Sequence, residues 1–310
     1  LFHHTHYPRP TMQATPPPMN SPVSNPSLRT QKIANRGLKK SNQNNNPQDT
    51  LKQVFREYEK HSFCLIFAVN KYPNAVKLPN LSCAVADGIL LAETLCGLTP
   101  TFDGSSVWES PQGNTLGQGF KVKMFIDIAV TKEAIDRELG QLIGTYKTSQ
   151  IGRFYLCMAG HGLPDATTGS SFFCCNNYNK ENEYVTSYPL KELKSKLERI
   201  GLKHQVVHLD CCHAGGIFLE SRARPVDYRA ASMATKPVVT AITAVTADET
   251  ALETQGHGIF SKHLCEQVKD FYIFDRYDRA YVSTSELFNA TSELVTNQAR
   301  ESNHDMTPMH

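Results

Sequence analysis

Cys212 sits between an aspartate and two glycines in Asp210-Cys211-Cys212-His213-Ala214-Gly215-Gly216, and His161 sits between glycines in Gly160-His161-Gly162. A cysteine attacks a carbonyl as the thiolate, and the amine that leaves an amide must be given a proton. An imidazole titrating near neutral pH can serve both steps. Glycine beside each residue lets a peptide backbone approach and leaves main-chain N–H groups free to hold an oxyanion. The two segments therefore carry the residue types for acyl transfer through a thioester, with Cys212 as nucleophile and His161 as general base. His213 is too close in the chain to swing back onto its neighbour. His257, in a second Gly-His-Gly, follows the cysteine and opens a helix. Cys211 is expected in the core, because neighbours in an extended chain face opposite sides, and Cys174 and Cys175 are read as structural.

These loops need elements to position them. Phe63 to Val69 is a continuous apolar run of strand length, which implies burial on both faces, as in a parallel sheet. A helix over Ser82 to Cys96 follows, with Val85, Ile89 and Ala92 on one face and Gly97 as its stop. Lys121 to Ile126 reads as a second strand. Thr131 can cap the next helix, which bears Ile135, Leu139, Leu142 and Ile143 and which Gly144 closes. Phe154 to Met158 is a third strand, running into His161. Pro189 opens a helix with Leu190, Leu193, Leu197 and Ile200, ended by Gly201. Gln205 to Leu209 is a fourth strand, running into Cys212, and Val238 to Val245 a fifth. Helices over Ile259 to Val268 and Ser283 to Ala299 complete the pattern, the last with a Ser283-x-x-Glu286 capping box. Strand–helix alternation predicts an α/β fold, a mostly parallel sheet with helices on both faces. Ligands in such sheets bind beyond the carboxyl ends of the strands, where His161 and Cys212 lie. Asp248 and Glu249, after the fifth strand, would reach the same end or form a polar loop.

The composition suits a globular protein, 40% apolar and 20% charged over 310 residues. No apolar run approaches the roughly 18 residues of a membrane span, and the first residues lack the charged-then-apolar order of a secretory signal. The nine cysteines lie mostly in apolar segments, which suggests reduced thiols and a cytoplasmic setting. Neither a CxxC pair nor a Cys/His quartet occurs, so a zinc site is not expected. Residues 1–50 are rich in Pro, Asn, Ser, Thr and Gln and are expected to be a disordered tail. Its basic residues (Arg9, Arg29, Lys32, Arg36, Lys39, Lys40) outweigh one acid, Asp49. They are not interleaved with aromatics, so the arm reads as solvated rather than as a specific nucleic-acid binder.

Five segments resemble the caspase-like cysteine peptidase domain, closest to metacaspases and their bacterial and fungal homologues. They are Leu78-Pro79-Asn80-Leu81, Ala84-Val85-Ala86-Asp87, Gly160-His161-Gly162, the Asp210 to Gly216 run, and Gly256-His257-Gly258-Ile259-Phe260. Caspases likewise carry the His about 50 residues before the Cys. The resemblance spans roughly residues 60–310 and implies a caspase-like α/β/α sandwich. By it, Cys212 is the nucleophile, His161 the base, and the N–H groups of Gly162 and Cys212 the oxyanion donors. It implies cleavage of proteins or peptides after Arg or Lys, with Asp210 and Asp87 holding the basic side chain. True caspases cut after Asp, use arginines there and carry a Gln-Ala-Cys signature that the segment around Cys212 lacks. Ala159 departs from the serine that metacaspases often place two positions before the His, which removes one hydroxyl from the expected pocket.

On this reading residues 51–310 form the peptidase domain. A large-subunit-like part spans about 60–220, an Arg-rich linker about 221–236 and a small-subunit-like part about 237–310. Self-cleavage is expected in the linker at Arg222 or Arg229, since Arg224 precedes a proline. No cofactor is needed for the chemistry. Many metacaspases require Ca²⁺ as activator, but the loop after His161 offers only Asp165, Glu181 and Glu183, and calcium dependence stays open. The tail would recruit protein partners. Two other functions remain: a catalytically weak or inactive caspase-like scaffold, and a protease cutting after Asp.

Overall fold

The computed structural model describes residues 58, 60–75, 78–111, 117–148, 150–165, 170–212, 238–246, 251–254, 256–274 and 284–310. The chain divides into Leu1–Asn45 and Asn46–His310, and every described residue belongs to the second unit. The expected disordered tail, linker, capping residue Ser283 and acids Asp248 and Glu249 lie outside the described residues.

Six strands form the main sheet: β1 (Ser62–Ala68), β2 (Val107–Glu109), β3 (Lys121–Ile126), β4 (Gln150–Ala159), β8 (Leu202–Asp210) and β9 (Val238–Thr243), ordered β2-β3-β1-β4-β8-β9. Every pairing is parallel except that of the edge strand β2. Between β4 and β8 a second sheet of three short antiparallel strands is inserted, β5 (Gly162–Pro164), β6 (Ser171–Cys174) and β7 (Ser187–Pro189). A two-residue hairpin, β10 (Glu253–Thr254) with β11 (His257–Gly258), follows β9.

The helices are α1 (Ala84–Cys96), α2 (Lys132–Thr145), the one-turn α3 (Glu183–Thr186), α4 (Leu190–Leu197), α5 (Ile259–Phe274) and α6 (Thr284–Glu301). Alternate residues of β1 divide between two cores, as the two-residue period of a strand requires. Leu65 and Phe67 pack with Ile135 and Leu139 of α2 and Leu190 and Leu193 of α4. Cys64, Ile66 and Ala68 pack with Leu91 and Leu95 of α1 and Cys265 of α5. A third cluster joins α5 to α6 through Phe260, Leu264 and Val295. Each fully buried side chain of this kind favours the fold by about 1.5–3 kcal/mol over exposure. The expected α/β/α sandwich with a mostly parallel sheet is thus present.

Val85 and Ile89 of α1 are half-buried against the same core cluster that holds Ala92, as their shared face predicts. The sequence reading erred at several boundaries. Thr131 caps α2 through Ala134 N (3.2 Å), but Gly144 does not end it; the helix runs to Thr145, and Tyr146 N donates to Leu142 O (2.8 Å). Helix α4 stops at Leu197, and Ile200 is buried in the turn beyond. Strand β9 ends at Thr243, whose main chain exchanges hydrogen bonds with Met309 (2.9 and 3.1 Å). Helix α5 runs on to Phe274.

Candidate active site

Strands β4 and β8 are parallel neighbours with Ala159 directly opposite Asp210. The match persists one step further, where Gly160 N donates to Asp210 O (3.1 Å). His161 and Cys212 each lie two residues past that register pair, at the carboxyl end of the sheet. The two loops touch through their main chains. A β-carbon on Gly162 would stand 2.0 Å from the carbonyl oxygen of Cys212, so the position admits no side chain.

His161 is held through its main chain, its ring face and Nε2. Its N–H donates to the Tyr72 hydroxyl (2.8 Å), and its carbonyl accepts from Cys174 N (2.9 Å), the continuation of the β5–β6 ladder. Its ring lies against that of Tyr72, with centroids 4.9 Å apart. Nε2 stands 2.8 Å from the carbonyl oxygen of Pro79. A carbonyl can only accept, so Nε2 carries the hydrogen and Nδ1 keeps its lone pair. Burial lowers the imidazole pKa, with the Pro79 bond opposing, and so favours the neutral ring that a base requires.

All nine cysteines are free thiols, and Cys212 alone is not buried. Cys211 belongs to the core, as expected, and burial pushes its thiol well above the usual range. Cys174 and Cys175 are likewise buried, on β6 and just after it.

Beside the Cys212 segment lies an acidic cluster. Asp87, in the first turn of α1, is 4% exposed; Gly258 N donates to its Oδ2 (3.0 Å), and His257 Nδ1 stands 2.8 Å from its Oδ1. Asp210, at the end of β8, is half-buried and accepts from the Ser261 hydroxyl. The two carboxylates converge: a β-carbon on Gly258 would lie 3.0 Å from Asp87 Oδ2 and 3.3 Å from Asp210 Oδ2. Glu253, which accepts from Ser82 Oγ (3.0 Å), adds a third negative charge that acts on both. Burial, then the charge of Asp210, pushes Asp87 up to about 8. Burial pushes Asp210 up to about 6, against the Ser261 bond. Acids so crowded would gain from a cation placed between them.

The structure thus brings together Cys212, His161, Gly162, Asp210 and Asp87, while Arg222, Arg229 and His213 lie outside the described residues. Among those residues, no group of three or more His, Cys, Asp or Glu is placed to hold a metal ion. Asp165 accepts from Tyr184 (3.3 Å) and Glu183 from Tyr178 (3.4 Å), so those acids serve separate contacts.

Sequence reasoning assigned no role to Tyr72, the Pro79 carbonyl, Glu253 or Ser261, and set His257 aside as a poor base without seeing it on Asp87. Pro79 and His257 stood in segments quoted for the resemblance. Ser261, a lone hydroxyl next to Ile259 and Phe260, was the signal for a buried polar contact.

No family model and no curated protein sequence matches this chain. Solved structures do. The Drosophila initiator caspase Dronc superposes with a TM-score of 0.52 at 11% identity, covering 82% of this chain and 79% of that one. A protein of Geobacter sulfurreducens aligns at TM-score 0.49 and 16% identity, over 80% of this chain and 92% of that one. The fold is caspase-like.

Proposed function

We propose that this protein is a cysteine endopeptidase that cuts after Arg or Lys, as metacaspases do. The observation that carries the reading is the pairing of Ala159 with Asp210, which sends His161 and Cys212 off the same end of neighbouring strands beside two converging carboxylates. His161 Nδ1 takes the thiol proton of Cys212, and Sγ attacks the scissile carbonyl carbon. The N–H groups of Gly162 and Cys212 hold the oxyanion, a contribution of about 10²–10³-fold per donor in comparable sites. The imidazolium gives its proton to the departing amine, leaving a thioester. Water, deprotonated by Nδ1, then hydrolyses the thioester and restores the thiol.

Asp87 and Asp210 take the guanidinium or ammonium group of the residue before the scissile bond. An aspartate side chain would meet like charge there, which disfavours caspase-type specificity. Nine unpaired thiols suit a reducing compartment such as the cytoplasm. Self-cleavage at Arg222 or Arg229 would separate the parts spanning about 60–220 and 237–310, and intact-mass measurement of an active preparation reads it directly.

The test is a panel of peptides with Arg, Lys or Asp before the scissile bond, with and without Ca²⁺, beside Cys212→Ala and His161→Ala. Cleavage after Arg and Lys, lost in both variants, is the expected result. Turnover surviving Cys212→Ala removes the nucleophile, and cleavage only after Asp removes the pocket assignment. Folded protein that binds partners without cleaving any peptide would identify a scaffold.

A further inference from the structure

Behind Asp210 runs a buried polar chain that neither packing nor the proposed chemistry requires. His208 lies two residues before Asp210 on β8 and is fully buried. Its Nε2 is 3.4 Å from Ser261 Oγ, and its Nδ1 is 3.3 Å from the Tyr155 hydroxyl on β4. Ser261, in the first turn of α5, is 1% exposed. The donors can run in one direction only. The carboxylate accepts, so Ser261 donates to Asp210; the serine oxygen then accepts Nε2–H, which leaves Nδ1 to accept from Tyr155. A neutral imidazole is the one state that can donate at one nitrogen and accept at the other. Burial supports it, lowering the His208 pKa to about 3. Polar groups in a dry core cost free energy unless paired, and an apolar residue at 208 would avoid that cost altogether. A chain so placed earns its position by what it does at its exposed end.

We propose that Ser261 is a positioning residue for Asp210, backed by His208 and Tyr155, and that this chain aims the Asp210 carboxylate at the basic side chain of the substrate. The assignment rests on the protease reading for its purpose but not for its geometry. Other charged or titratable groups act on Asp210 from several elements: Asp87 from α1, Glu253 from β10, Tyr155 and Cys157 from β4, Cys265 from α5 and the adjacent Cys211. None of them donates the bond that Ser261 does.

The experiment uses the full chain carrying Cys212→Ala, with ¹³C in the aspartate carboxyls and the Asp210 signal assigned by its loss in Asp210→Asn. Ser261→Ala should move the Asp210 titration midpoint upward by about one pH unit, the scale of one hydrogen bond to a carboxylate. Ser261→Thr should restore it, and Tyr155→Phe should move it less but in the same direction. In the active chain, Ser261→Ala should raise KM for Arg peptides about tenfold while kcat stays within about threefold. An unmoved midpoint in both Ser261→Ala and Tyr155→Phe overturns the proposal, as does a loss confined to kcat. The midpoint shift arrives whether or not any peptide is cut, so failure of the protease reading is seen separately, as absent turnover in the unmodified chain.

Discussion

Asp87, at the start of a helix, and Asp210, at the end of a strand, close from two sides on one glycine, with Oδ2 atoms 3.0 and 3.3 Å from where a β-carbon of Gly258 would stand. Burial, joined for Asp87 by the charge of Asp210 and for Asp210 by that of Glu253, makes the pair hold protons that exposed carboxyls would release.

That arrangement has a consequence for stability. A carboxyl whose folded pKa is raised binds protons more tightly folded than unfolded, so its contribution to stability is present at low pH and is lost as pH rises through the folded value. For Asp87 the window runs from 3.8 to about 8. Urea midpoints of the Cys212→Ala chain should fall across that window by more than those of the chain also carrying Asp87→Asn. Parallel curves for the two chains would contradict the raised value.

Gly162→Ala tests the contact between the loops that carry His161 and Cys212. Its β-carbon would overlap the Cys212 carbonyl at 2.0 Å, and both partners are backbone. The loops must separate, at about 1–3 kcal/mol, and turnover should drop about a hundredfold or more as the reacting groups move out of line. A melting temperature and activity equal to the parent's would show that the loops are not held together there.

Tyr72→Phe removes the hydroxyl that receives the His161 N–H. Tyr72 is buried, so the orphaned donor should cost about 1–3 kcal/mol of stability. The ring contact survives, so the expected kinetic effect is a lower kcat with KM little changed. A change confined to KM would place Tyr72 in substrate binding instead.

Of the nine cysteines only Cys212 is not buried. Iodoacetamide in limiting amount should therefore alkylate Cys212 before any other cysteine, as peptide mapping would reveal, and abolish turnover in proportion. Prior labelling of Cys83 or Cys211 would mean that the loop covers Cys212.

The amino-acid sequence by itself determined which segments become the central strands and what their ends carry. Phe63 to Val69 is apolar without alternation because both faces are covered, and that pattern is written locally. It also placed a thiol and an imidazole after consecutive strands of the expected sheet. The tertiary structure alone decided what surrounds them. The Pro79 carbonyl on His161, His257 on Asp87 and Ser261 on Asp210 join residues far apart in the chain, and β5, β6, β7, β10 and β11 have only two to four residues each. Such short elements have no periodicity to read, and partners of this kind are chosen by packing across the sheet rather than by the neighbours of each residue.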